Sequence, residues 1–255
     1  MKSVLTIGGS DSSGGAGIQA DLKTFEAFGV YGMSVITVLT AQNTTGVQGI
    51  FPLEPAFVLK QIDSVLEDIP VDAIKIGMLY SAEIIDLIAD IVSMVKVPVV
   101  LDPVSISKAG SPLLHDEAIE ALRHLVPLAM VVTPNRYEAR LLFGSEDTFA
   151  FPGVPVVVKN FKEVREGHEV SVDRLYTAQG VVEFTAPWIE TNNLHGSGCS
   201  FASAIAALLA SGYDLIDAIK RARAFVTEAI RKAPGLGHGP GPLNHKAGGV
   251  HAFAF

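Results

Sequence analysis

The stretch TNNLHGSGCSFASAIAALLASG (191–212) runs from polar residues through two glycines into a long apolar helix pattern. Gly196 and Gly198 let successive backbone N–H groups turn toward one point, and the positive end of the helix dipole adds to the field there. Such a hole stabilises a phosphoryl group in transit. Ser197 lies within it. Cys199 follows at the helix N-terminus, where a thiol pKa is pushed down, so a thiolate there can take a proton from a substrate hydroxyl. Taken alone, HGSG also reads as an ordinary helix cap and Cys199 as a small buried residue, and that is the simpler reading. A second segment, TPNRYEA (133–139), sets Asn135 and Glu138 three apart on one helix face. An amide and a carboxylate so placed can hold a magnesium-bound water near phosphates, with Asp102 at a neighbouring strand end assisting. If the motif stood alone, plain helix capping would explain it.

A third candidate is the Gly-rich stretch after the first strand, which contains GAGIQA (15–20). It fits a loose dinucleotide fingerprint. Two features argue against that use. GSDSS separates the strand from Gly14, and the second strand ends in TAQNTTG without the acidic residue a ribose needs. No G-x-x-x-x-G-K-S/T loop occurs. The loop is therefore either a close backbone approach to a small molecule or a flexible turn with Ser12 or Ser13 capping a helix.

The elements that must position these groups alternate. Strand patterns fall at 4–9, 33–41, 73–78, 97–102, 129–134 and 154–159, and helix patterns at 16–28, 55–68, 82–95, 117–126, 135–143, 199–210 and 214–233. Residues 170–187 read as a hairpin turning at Gln179–Gly180. Alternation of this kind predicts a mostly parallel sheet with helices on both faces. Ligands then bind beyond the carboxyl ends of the strands. Gly8, Gly9, Asp11, Gln42, Asn43, Gly77, Met78, Asp102, Asn135 and Lys159 all sit at those ends.

Composition narrows the chemistry. In 255 residues, 49% are hydrophobic and 18% charged, enough for one sizeable core. No apolar run approaches the roughly 20 residues of a membrane helix, and no signal peptide is expected. The single cysteine excludes an internal disulfide and suits a reducing cytoplasm. The net charge of −8 argues against nucleic acid as a partner.

Taken together, IGGSDSSGGAGIQADLKTFEAFGVYGMSVITVLTAQNTTGVQ, KIGML, LDPV, KAGSPLL, TPNRYEA, NLHGSGC and GHGPGPLNH follow one another as in the hydroxymethylpyrimidine/phosphomethylpyrimidine kinases of thiamine biosynthesis. The resemblance covers nearly the whole chain. It implies a single domain over 1–255 with a ribokinase-like three-layer α/β/α sandwich around a mostly parallel sheet. It implies phosphorylation of 4-amino-5-hydroxymethyl-2-methylpyrimidine and then of its monophosphate, with ATP and Mg²⁺, by a cytoplasmic homodimer. By the same resemblance, Gly9, Ala16 and Asp21 line the pyrimidine pocket, Gln42 bonds the aminopyrimidine and Met78 packs on the ring. Gly196, Ser197, Gly198 and Cys199 match the anion hole and base. Asn135 and Glu138 match the motif that manages magnesium and phosphate, and Lys159 matches a lysine near the ATP phosphates. His238 and His245 match a C-terminal motif. The chain departs from the family at Lys159-Asn160-Phe161-Lys162, where Lys-Gly-Gly-His is usual, and in GSEDTFAFPG (144–153), where a helix is usual. Phe161 is expected to obstruct the backbone's approach to phosphate. Two alternatives stay open: a pyridoxal kinase of the same fold, and a pyrimidine-binding protein without catalysis.

Overall fold

The computed structural model describes residues 1–104, 116–145 and 153–249. The KAGSPLL segment and most of GSEDTFAFPG lie outside them, as does the end of the C-terminal tail. Nine strands form one sheet: β1 (Ser3–Asp11), β2 (Tyr31–Asn43), β3 (Gly46–Pro52), β4 (Ala73–Ile76), β5 (Val99–Leu101), β6 (Val131–Val132), β7 (Val156–Arg165), β8 (His168–Thr177) and β9 (Gly180–Pro187). Their order is β3-β2-β1-β4-β5-β6-β7-β8-β9. Pairing is parallel from β2 to β7 and antiparallel at both margins. The helices are α1 (Gly17–Ala27), α2 (Pro55–Leu66), α3 (Ala82–Met94), α4 (Asp116–Leu125), α5 (Arg136–Phe143), α6 (Ser197–Ala210), α7 (Leu215–Arg231) and the short α8 (His245–Gly248).

Because successive strand side chains face opposite ways, each central strand feeds two cores. Leu5, Ile7, Ile74, Ile76, Leu101, Val132 and Val158 pack with α2, α3, α4 and α5. Val4, Ala73, Val100, Val131 and Val157 pack on the other face with α1, α6 and α7. The unbroken apolar runs of the sequence are the signature of strands covered on both faces. The three layers predicted from alternation are thus present. Residues 200–210 of α6 are all buried, and its many alanines let the helix lie close to the sheet. Among the described residues, no helix is long and apolar enough to cross a membrane.

Three departures from the sequence reading concern the margins. Residues 46–52, to which the sequence pattern assigns no element, form the edge strand β3, and most of it is exposed, so it lacks a core-facing pattern. Strand β7 runs on to Arg165 and makes a second hairpin with β8. The β8–β9 hairpin is as expected, with Thr177 paired to Gly180, which sets its turn one residue earlier.

On the α6 side, His245 of α8 is buried and hydrogen-bonds Ser200 Oγ through Nε2 at 2.8 Å. Burial first, and then the charge of Lys23, pull its pKa from 6.5 down to about 4. The unfolded chain therefore takes up a proton that the folded one refuses as pH falls from 6.5 toward 4. Stability from this group is complete above 6.5 and drains away in that window, by about 2–3 kcal/mol at pH 4.5. Urea unfolding at pH 7 and 4.5 should give a difference that shrinks by that amount in His245→Asn.

Candidate active site

Beyond the carboxyl ends of β1, β2, β4 and β5 lies a cleft of about 520 Å³. One wall is apolar. Met78 packs with Val38, Tyr80 and Val104. A Cβ on Gly9 would stand 3.0 Å from Val38 and 3.3 Å from the Met78 sulfur, so glycine keeps this slot open for a flat ring. At its end, Gln42 Oε1 lies 3.1 Å from Thr40 Oγ1, whose hydroxyl also reaches Ser10 O at 2.9 Å. Ala16 closes the slot from the β1–α1 loop.

That loop is built by Asp11. Its carboxylate accepts from Ser13 N, Ser13 Oγ, Gly15 N, Ala16 N and His195 Nε2. Burial opposes ionisation of this group, but His195, Ser13 and Ala16 outweigh it and hold its pKa at about 2. The glycines here serve an Asx-nucleated turn, not a dinucleotide, and the loop contributes Ala16 and Gly17 to the cleft.

Opposite stands the N-terminus of α6. Gly196 is its N-cap in the left-handed conformation, φ 81°, and a Cβ there would lie 1.9 Å from Gly15 O. The first-turn N–H groups of a helix have no acceptor within it, which leaves those of Gly198 and Cys199 for an anion. Ser197 N is bonded to Leu194 O. The N-terminus of α1 also converges here, since Gly17 N–H donates to the Cys199 sulfur. The expectation of a lowered thiol pKa is nevertheless corrected. Burial pushes the Cys199 thiol up to about 11, Lys75 opposes the rise, and the Asp21 and Asp102 carboxylates add to it. Removal from water costs the thiolate more than two helix ends return.

Asp21 lies at the cleft floor and is fully buried. Thr6 Oγ1, Ser203 Oγ and Lys75 Nζ donate to it at 2.6, 2.6 and 2.9 Å. It thus ties β1, β4 and α6 together below the ring slot. Lys75, which sequence reasoning missed, stays charged despite burial because Asp21, Cys199 and Asp102 hold its pKa up. Its signal was a lysine in an otherwise apolar strand.

The third wall carries Asp102, Asn135, Glu138 and Lys159. Asn135 and Glu138 form a capping box on α5: Asn135 Oδ1 accepts from Glu138 N, and Glu138 Oε2 accepts from Asn135 N. The simpler reading of N-x-x-E is therefore realised, while both residues also line the cleft. Asp102 Oδ1 accepts from Lys159 Nζ at 2.8 Å and from Thr133 Oγ1 at 3.0 Å. Burial works against the Lys159 charge, but Asp102 and Glu138 raise its pKa. The expected direct metal role of Asp102 is narrowed by this ion pair, which occupies Oδ1. Among the described residues, no group of three or more His, Cys, Asp or Glu could cage a metal. The donor set suits magnesium, which keeps water and phosphate ligands beside one or two carboxylates.

Phe161 does not obstruct the cleft. The β7–β8 register slips between Val158 and Phe161. Asn160 takes the left-handed conformation, φ 71°, and its N–H donates to Asp173 Oδ1 at 2.9 Å. Phe161 is turned away into the core, its ring flanked by the guanidinium groups of Arg136 and Arg174 at 5.2 and 4.4 Å. Asn160 thus supplies the bend that glycine was expected to supply. Behind it a second cavity of about 160 Å³ opens between Trp188, Phe201 and Ile230, sharing Lys159, Asn160, Ser197 and Gly198 with the main cleft.

Each residue given a catalytic, substrate, phosphate or metal role from the sequence lines the main cleft, whereas Asn43, His238 and His245 do not. A family model described as phosphomethylpyrimidine kinase matches residues 11–244. The chain belongs to the phosphomethylpyrimidine kinase family. It is accordingly a phosphotransferase. Among curated members, the hydroxymethylpyrimidine/phosphomethylpyrimidine kinase of Escherichia coli is 43% identical over 255 residues, covering 94% of this chain and 96% of that one. A thiamine biosynthesis bifunctional protein from Geobacter sulfurreducens is 47% identical over 254 residues, and the chain spans 52% of its length. Among solved structures, an ADP complex of Bacillus subtilis pyridoxal kinase matches with a TM-score of 0.86 and 38% identity, covering 97% of this chain and 98% of that one. The phosphomethylpyrimidine kinase of Clostridium difficile matches with a TM-score of 0.76 and 41% identity, covering 90% and 100%. The ribokinase-like fold of the family is thereby shared.

Proposed function

We propose that this chain, as one kinase domain over 1–255, transfers the γ-phosphoryl group of ATP to the hydroxymethyl oxygen of 4-amino-5-hydroxymethyl-2-methylpyrimidine, and then phosphorylates the monophosphate to the diphosphate. The observation that carries this is a single cleft with an apolar ring slot ending in an amide on one side and a two-helix anion hole on the other. The ring lies between Gly9 and Met78, and Gln42 offers its amide N–H groups to a ring acceptor. Ala16 and Asp21 close the slot, Asp21 by holding the floor. The 5-hydroxymethyl group then faces Cys199. In the transfer, the hydroxyl oxygen forms a bond to the γ-phosphorus and the bond to ADP breaks. Cys199 receives or guides the hydroxyl proton, while the N–H groups of Gly198 and Cys199, with Gly196 and Ser197 shaping the turn, stabilise the moving charge. Lys159 and Asn135 face the phosphates, and the second cavity suits the nucleoside part of ATP. Glu138 and Asp102 would hold magnesium together with its water ligands, and the ion would neutralise phosphate charge.

The net charge of −8 and lone cysteine support a cytoplasmic enzyme without nucleic-acid or membrane partners. Exposed Leu39, Ile50 and Phe51 on the β2–β3 edge support a homodimer. One observation favours a second reading: solved structures similar to this chain include pyridoxal kinases from two bacteria. The test is incubation with Mg²⁺-ATP and either the pyrimidine or pyridoxal, followed by mass spectrometry. Successive monophosphate and diphosphate of the pyrimidine, with a higher kcat/KM than for pyridoxal, supports the first reading. A preference for pyridoxal supports the second, and no product from either sinks both.

A further inference from the structure

Two of the cleft's loops touch through one side chain. His195, just before the α6 cap, is buried, and its Nε2 lies 2.8 Å from Asp11 Oδ2. Asp11 is a carboxylate that already gathers the backbone of the β1–α1 loop. As an anion it only accepts, so His195 Nε2 carries the proton between them. The contact is close-packed: a Cβ on Gly15 would stand 2.3 Å from His195 Cδ2, and one on Gly196 would meet Gly15 O. On its other flank, His195 Nε2 lies 3.5 Å from Gln42 Nε2. Since that nitrogen is already a donor to Asp11, the Gln42 amide cannot donate to it. The backbone of His195 is fixed as well, with its N–H on Gly241 O at 3.0 Å.

We infer that His195 is a positioning residue: held by Asp11, it locks the β1–α1 loop onto the α6 anion hole. This rests on the kinase reading. Its contribution appears in the chemical step, where a displacement of about 1 Å costs on the order of 100-fold. Binding of the ring, which depends on Met78 and Gly9, is largely spared.

The discriminating series is His195→Gln, His195→Asn and His195→Leu. A glutamine amide nitrogen reaches the place of Nε2 and restores the bond to Asp11, whereas asparagine is too short and leucine has no donor. Steady-state kinetics with ATP and the hydroxymethylpyrimidine, beside calorimetric titration of the pyrimidine alone, should show H195Q near wild type. H195N and H195L should lose about 100-fold in kcat with pyrimidine affinity changed by less than about threefold. Should H195L fail to fold, the H195Q and H195N pair still decides. Equal kcat in those two, or a fall in pyrimidine affinity that matches the fall in kcat, would overturn the role. A wild-type protein that binds the pyrimidine yet never turns it over would instead remove the kinase reading beneath it.

Discussion

Cys199→Ala lowers kcat by about 10²–10⁴-fold and leaves pyrimidine affinity nearly unchanged. The alanine removes the sulfur to which Gly17 N–H donates, but it leaves the ring slot of Gly9, Met78 and Gln42 intact. Calorimetry with the pyrimidine and kinetics on the same preparation separate the two effects. The pH profile then says what the sulfur does. With the thiol pushed up to about 11, the thiolate fraction rises about tenfold for each pH unit below that value. If the thiolate is the base, log kcat climbs with a slope near one from pH 6.5 to 9. A thiol lowered by the helix ends alone would have reached its plateau by about pH 7. Cys199→Ser should abolish the slope, because a serine hydroxyl does not ionise in that range. A flat wild-type profile with a slow C199A variant would make Cys199 a guide for the hydroxyl and not its base. Wild-type rates in C199A would remove it from the reaction.

Much of this site was legible because its chemistry sits at strand ends, and strand ends can be read from alternation. Gly9, Met78, Asp102 and Lys159 were found that way, as was the sheet that gathers them. What spacing cannot read is which ends touch. Asp21 and Lys75 are 54 residues apart, and Asp11 and His195 are 184 apart. Only the packed sheet brings them within hydrogen-bonding distance. The thiol pKa failed for a related reason: a helix N-terminus is visible in sequence, but the depth at which it lies is not. The Phe161 expectation failed because a one-residue bulge in β7 reverses which side chains face the cleft. That bulge depends on Asn160 tolerating a positive φ and on Asp173, from the next strand, receiving its N–H. Strand β3 was missed because an exposed edge has no buried face to impose a pattern.

The Lys159–Asp102 pair is where stability and chemistry separate most cleanly. Its side chains are 7% and 3% exposed and 2.8 Å apart. Removing one member of a buried pair strands the other charge, at a cost of about 3–5 kcal/mol. Lys159→Met leaves the Asp102 carboxylate with Thr133 as its remaining donor. Asp102→Asn leaves the ammonium with Glu138 on the same wall, a partner close enough to raise its pKa, so this loss falls at the lower end. The double variant K159M/D102N buries no net charge and should be destabilised by clearly less than the sum of the two. Turnover follows a different rule. In the proposed reaction Lys159 is the cation on the phosphate side, so K159M should lower kcat by about 10²–10³-fold, and the double variant should not regain it. Urea unfolding and steady-state kinetics on the four proteins test both halves. Strictly additive stabilities would mean that the two residues are not acting as a pair. Recovered turnover in the double variant would mean that Lys159 serves Asp102 and not the phosphates, and the charge for the transfer would then have to come from the helix ends and magnesium.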